Sequence, residues 1–447
     1  MSSKQPQVEV PTVPFQPIDT QPVRENERVQ AVDILRGVAL LGILVMNIPT
    51  FAWPEFPGNP REQGPFTGLD RAIWLTQHVV FDTKMMTIFS MLFGAGLVLM
   101  SDRAVSRGAS LTRRYYRRVL WLMAIGALHG YFIWMGDILF WYGACGLIIY
   151  PMRNLRPRVL IGVGLAMNLL IAVLGLLFSM GAYYGRTTAE NVARAEASGR
   201  SVGTLEKEVA KAWDDLGKEL GGTKEKQAEE RARIVAVYRG GYLGILKERI
   251  PQVMIMQLVV FPFFAFWVCG GRMVIGMGLM RLGIFTGDRP SSFYVRMAVL
   301  AYVVGLPLVL LDVWTLFRDQ FQFLAEVLSI TVLNHLGGLA MALGHAAVVM
   351  LAFKACALPR LQRALGAVGR MALTNYLTHG LVLSTLFYGY GFGWFDRVDR
   401  TGQMGIVIAI WAFQLVVSPI WLRHFQFGPA EWVWRSLTYG KAQPIWA

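Results

Sequence analysis

His129 and Asp137 stand eight residues apart, with Met135-Gly136 leading into the aspartate between two apolar runs. Two helical turns and a bend can bring side chains at that spacing together. An aspartate that holds one imidazole nitrogen leaves the other to act as a general base. The same spacing also describes a plain structural hydrogen bond, and spacing alone does not separate the two. A second polar group lies in Ala31–Trp53, AVDILRGVALLGILVMNIPTFAW. Asp33 and Arg36 are three residues apart and can pair on one helix face. Arg36 and Asn47 are eleven apart, close to three whole turns, so they share a stripe. A charge within a membrane segment costs at least about 2.5–3.5 kcal/mol, so Arg36 either snorkels to the headgroups or faces a polar interior with Asn47. Lys84 poses the same choice, between a helix end at the interface and a partnered or ligand-binding ammonium. Arg370 precedes Asn375 and His379, and the last two share a helix face.

Positioning these groups requires membrane spans. The chain of 447 residues is 54% hydrophobic and 16% charged, which describes a polytopic membrane protein rather than a soluble globule. The formal charge of +14 does not point to nucleic acid, because the arginines fall in short loops between apolar runs, as positive-inside topology requires. Arg103, Arg107, Arg113, Arg114, Arg117 and Arg118 mark one such loop as cytoplasmic, and they can also grip the phosphates of an anionic cofactor such as coenzyme A. Cys145, Cys269 and Cys356 lack CxxC spacing, and His335 and His345 are nearly three turns apart. Neither a disulfide framework nor a metal site follows.

The expected fold class is all-α: a bundle of about ten transmembrane helices with both termini in the cytoplasm. Residues 1–28 read as a disordered lead, 29–184 as an N-terminal membrane half, 185–250 as a charged helical extracytoplasmic insert and 251–447 as a C-terminal membrane half. Within the last, Gly270-Gly271-Arg272 is expected to end a tilted span near Val268, with an interfacial helix following to Met280. His78 reads as a residue at the membrane surface, and Glu431 as the i,i+4 partner of Arg435. Small-residue seams at Phe93–Gly96 and Met273–Gly278 suggest a homodimer.

Five stretches together carry a resemblance: VDILRGVALLGILVMNI, KMMTIFSMLFGAG, LHGYFIWMGDILFWYG, GRMALTNYL and GPAEWVWR. From Val29 to Trp434 the chain resembles the YeiB-like family of bacterial inner-membrane proteins, whose C-terminal half is a domain of unknown function. More distantly, the first signature is similar to that of the transmembrane acyltransferases, which O-acylate surface sugars or acetylate heparan glucosamine. In the sugar-acylating enzymes a histidine stands where this chain has Asn47, so the most obvious base is absent at that position.

Two functions are therefore expected. In the first, an acyl thioester such as acyl-CoA enters from the cytoplasm near Arg36 and Lys84, with Arg370 and Asn375 also lining its site. The acyl group passes to an extracytoplasmic hydroxyl of a small-molecule, lipid or glycan acceptor. His129, oriented by Asp137, is the base, and Asn47 binds a carbonyl or hydroxyl. In the second, a transporter or binding protein holds a small anion or a membrane-lipid headgroup without covalent chemistry. Either way, Asp33, Arg36, Asn47, Lys84, His129, Asp137, Arg370 and Asn375 are expected to converge on one cavity, since lipid-facing placement would desolvate each separately.

Overall fold

An apolar run in lipid has no water to satisfy its peptide groups, so it closes its own hydrogen bonds as helix. The computed structural model describes residues 29–54, 59–106, 111–220 and 224–446, and the named elements within them are helical, without a strand. The expected N-terminal lead, Arg107 with Gly108 in the arginine loop, and the break at Gly221-Gly222-Thr223 lie outside the described residues. Seven stretches are long and apolar enough to cross a membrane: Gln30–Ala52, Gly68–Ser106, Pro157–Ala197, Tyr242–Arg281, Ser291–Arg318, Phe323–Lys354 and Arg400–His424. The protein is a multi-pass helical bundle.

α1 (Gln30–Ala52) is the most buried of these spans. α2 (Gly68–Thr76) runs through a π-turn at Gln77–Phe81 and a left-handed Thr83 into α3 (Lys84–Ser106). Then come the hairpin α4 (Thr112–Phe132) and α5 (Leu139–Ile149), and α6 (Pro157–Ala197). The insert holds α7 (Thr204–Leu220) and α8 (Lys224–Tyr238). α9 (Tyr242–Ile255) continues through a π-register stretch, Met256–Gly270, into α10 (Gly271–Arg281). The remaining elements are α11 (Ser291–Arg318), α12 (Phe323–Leu328), α13 (Asn334–Lys354), α14 (Pro359–Arg370), α15 (Ala372–Phe387), α16 (Arg400–His424) and α17 (Pro429–Tyr439). Among the described residues seven of the ten expected spans are thus long and apolar enough to cross; the stretches expected as spans in α4, α5 and α15 do not meet both conditions.

Two boundaries differ from those read in the sequence. α6 does not end at Tyr183; its 41 residues, about 61 Å of helix, continue through the start of the insert. Gly270-Gly271 does not break the chain either, and α10 is no interfacial helix. Every residue from Gly271 to Met280 is buried. The glycines serve close packing: a methyl at Gly276 would overlap the Met91 carbonyl of α3, and one at Gly271 would overlap Asn168 of α6. The seams expected to join two copies thus face each other within one chain, since Gly94 abuts the Met273 carbonyl.

The arginine-bearing loops share one side of the bundle. Arg281 donates to the Arg153 carbonyl at 2.6 Å, Arg117 to the Leu437 carbonyl at 2.8 Å, and Lys354 to the Gly287 carbonyl at 2.9 Å. The insert lies on the other side. There the amide of Gly389 donates to the Tyr238 carbonyl at 2.8 Å, and that of Asp396 to the Ala52 carbonyl at 2.7 Å.

Candidate functional site

The turn after α4 does what the eight-residue spacing allows. His129 Nδ1 lies 2.8 Å from Asp137 Oδ2, with both side chains buried. The other carboxylate oxygen accepts from the Phe140 amide at 2.9 Å, which fixes the aspartate to the first turn of α5. With Asp137 ionised, Nδ1 carries the proton and a neutral imidazole presents its lone pair at Nε2. Nε2 is buried and has no hydrogen-bond partner among the described residues. It abuts α15 at Gly380, where a side chain would overlap it, and Tyr376 of the same helix packs against the ring at 5.3 Å.

Further unsatisfied groups lie around this dyad. Trp134, 6.4 Å from the imidazole, leaves its indole N–H without a partner among the described residues. Phe51 of α1 stacks on Trp134 at 4.3 Å and lies 6.3 Å from Tyr388. Asn47 is half-buried one turn before Phe51, on the same face of α1. Arg249 of α9 is fully buried over the Tyr388 ring at 5.5 Å. Sequence reading assigned Arg249 to the charged insert; it is the last charge of Lys247-Glu248-Arg249, where the apolar run begins.

The opposite end of α1 is basic. Arg36 pairs with Asp33 at 2.8 Å, and its charge acts on Arg118 and Arg435. Arg118 stacks on Trp434 at 3.7 Å and Arg435 on Phe427 at 4.3 Å. Arg370 ends α14, which crosses α1 where Gly369 meets the Asp33 carbonyl. Glu431 is not the partner of Arg435: its carboxylate accepts from the Leu373 amide at 2.6 Å and from the Thr374 amide and hydroxyl at 3.1 and 2.5 Å, so it caps α15.

The expectation of one shared cavity is not met. Lys84 belongs to a different network, which also takes in His78, placed in the sequence at the membrane surface. The Lys84 ammonium donates to the His78 carbonyl at 2.8 Å and to Asn334 Oδ1 at 2.7 Å. His78 Nε2 lies 2.7 Å from Asp312 Oδ2, which also accepts from Ser329 at 3.0 Å. Asp312, fully buried in α11, was missed in the sequence; the signal was a single acid in the run Leu308–Trp314. The π-turns Gln77–Phe81 and Ser329–Leu333 re-aim the chain around this network. Asn375 is likewise committed, donating to the Val368 carbonyl and to Ser418, each at 3.2 Å. His335 faces Arg272 at 3.2 Å and His345 faces Tyr302 at 2.9 Å, so the two histidines have separate partners.

A profile of the family described as "Protein of unknown function (DUF418)" matches residues 279–441. The uncharacterized protein YeiB of Escherichia coli (strain K12) is 30% identical over 424 residues, which cover 94% of this chain and 98% of that protein. The chain belongs to the YeiB-like family. The uncharacterized protein YxaH of Bacillus subtilis (strain 168) is 27% identical over 435 residues, 95% of this chain and 98% of its own length. In this YeiB-like chain the matched region holds Tyr376 and Gly380 but not His129 or Asp137, so the candidate site is assembled from both halves.

Proposed function

We propose that this YeiB-like protein is a membrane acyltransferase of the bacterial inner membrane, with its arginine-rich side in the cytoplasm and its insert outside. The observation that carries the reading is the buried His129–Asp137 pair with a free Nε2. Arg36 and its basic neighbours receive the phosphates of an acyl-CoA-like donor. From Arg36 to Asn47 the helix rises about 17 Å, so a long thioester arm lying along α1 brings its carbonyl to the level of the dyad.

The hydroxyl of an acceptor from the insert side then meets Nε2, which takes its proton as the oxygen attacks the thioester carbon. Asn47 and the Trp134 indole donate to the developing oxyanion. The C–S bond breaks, the sulfur leaves with the proton returned by the imidazolium, and the acyl ester remains on the acceptor. Asp137 keeps the ring in the required tautomer throughout. Substrate access requires α15 to ease away from the imidazole at Gly380.

The test is transfer of label from acyl-CoA supplied on the arginine side of proteoliposomes to lipid or sugar acceptors outside. Wild type should turn over and His129→Gln should not; a variant as active as wild type would remove the base from the mechanism. The second reading, an anion or lipid carrier without covalent chemistry, is favoured by the titratable network His78–Asp312–Lys84. It predicts movement of an anion across the membrane without ester formation.

A further inference from the structure

We infer that Arg249 is the binding site for a phosphate group carried by the molecule that enters from the insert side. The inference rests on the proposed function only for naming that molecule as the acceptor.

Arg249 has no exposed surface, and none of its three guanidinium nitrogens has a hydrogen-bond partner among the described residues. The hydroxyls of Tyr238 and Tyr388 lie close enough to interact with it by charge and by a loose hydrogen bond, but neither reaches the geometry that would satisfy the guanidinium. The acids nearby are committed elsewhere. Glu248, its neighbour in sequence, pairs with Arg233 at 2.9 Å; Asp396 pairs with Arg231 at 2.6 Å; Asp137 holds His129. A cation taken out of water without a counter-charge is costly, and a tyrosine face offsets only part of that. An anionic ligand resolves the imbalance.

The surroundings also indicate which anion. The guanidinium offers five N–H donors, the two tyrosines offer hydroxyls, and the indole N–H of Trp134 lies beyond Phe51 in the same aromatic wall. A site rich in donors and poor in acceptors suits the several oxygens of a phosphate better than the two of a carboxylate. The wall that joins Arg249 to His129, through Tyr388, Phe51 and Trp134, would seat the rest of the molecule with a hydroxyl toward Nε2.

The experiment is thermal unfolding of the full-length protein in phosphatidylcholine nanodiscs, with no acyl donor present. The probes are soluble glycerol 3-phosphate and, separately, phosphatidylglycerol built into the disc. At about 100-fold over Kd, a bound phosphate should raise Tm by roughly 5 °C. A response to glycerol 3-phosphate identifies a soluble phosphate ester; a response to phosphatidylglycerol alone identifies a lipid headgroup. Arg249→Met should unfold no earlier than wild type without ligand and should lose the response. Tyr388→Phe, which keeps the ring, should weaken it several-fold and covers the case in which the first variant does not fold. His129→Gln should respond as wild type does, so loss of transfer activity and loss of this site are read separately. No shift with either probe, or an undiminished shift in Arg249→Met, overturns the inference.

Discussion

Two buried polar clusters lie within this bundle, and they differ in how completely their groups are paired. Around Asp312, the charges and amide find each other: Lys84 meets Asn334, His78 meets Asp312, and Ser329 closes on the same carboxylate. Around His129, one side of the imidazole is fixed while Nε2, the Trp134 indole and the whole Arg249 guanidinium are left without partners among the described residues. Around Asp312 only Oδ1 is left over among the described residues, and a network so nearly closed in a low-dielectric interior stiffens the structure that holds it. Buried groups without partners cost stability, and a fold retains that cost where something else is to be bound. The contrast assigns support to the first cluster and chemistry to the second.

The sharpest way to break this comparison is Asp312→Ala. It leaves His78 and Lys84 with Asp82 as their remaining counter-charge and should cost about 3–5 kcal/mol, seen as loss of folded protein or a steep drop in Tm in detergent. A variant as stable as wild type would mean the network is not structural. Next, His129→Gln should lower transfer by about 10²–10⁴-fold while changing stability little, because the Gln side-chain amide can still donate to Asp137 and Nε2 has no bond to lose. Parallel measurement of turnover and Tm decides it, and a fall in both together would move this cluster into the supporting class.

Gly380→Ala should act on the same imidazole from across the helix interface. The added methyl displaces the ring at a cost of about 1–3 kcal/mol, and turnover should fall further than stability does. The smallest effect belongs to neither cluster. Arg233 pairs with Glu230 at 2.6 Å and Glu248 at 2.9 Å on the insert surface, and the pairing holds the Glu230 carboxyl below its usual range. Arg233→Ala should cost less than about 1 kcal/mol by thermal unfolding. A larger loss would show that the insert supports the bundle through surface charge.

Much of the membrane architecture was legible because hydropathy and arginine placement are carried by composition. The His129–Asp137 contact was legible because it is local, one helix end meeting the next turn. The partners of Lys84 were not, since they lie in the π-turn after α2 and on α13 and only packing brings them together. Asp312 is a single charge in an apolar run, and Arg249 the last of three consecutive charges, so composition at both positions is decided by their neighbours. The extension of α6 was hidden for a related reason. The charged stretch after Tyr183 changes polarity but not helical propensity, and hydropathy reports only the former. Gly270-Gly271 misled in the opposite sense, because glycines that break a helix in water also allow three helices to touch in a bundle.

The insert is joined to the spans by two long helical stretches, the second with a π-register segment and two prolines inside it. One is α6; the other runs from Tyr242 to Arg281 over 40 residues. A hydrocarbon layer is about 30 Å thick and α6 is about 61 Å long, so α6 is long enough to leave the bilayer as continuous helix. Mechanically the insert is therefore an outgrowth of the spans rather than a module on a tether. A force applied to it arrives inside the membrane as axial load and torque on α6 and α10, whose glycine contacts leave no slack to absorb them.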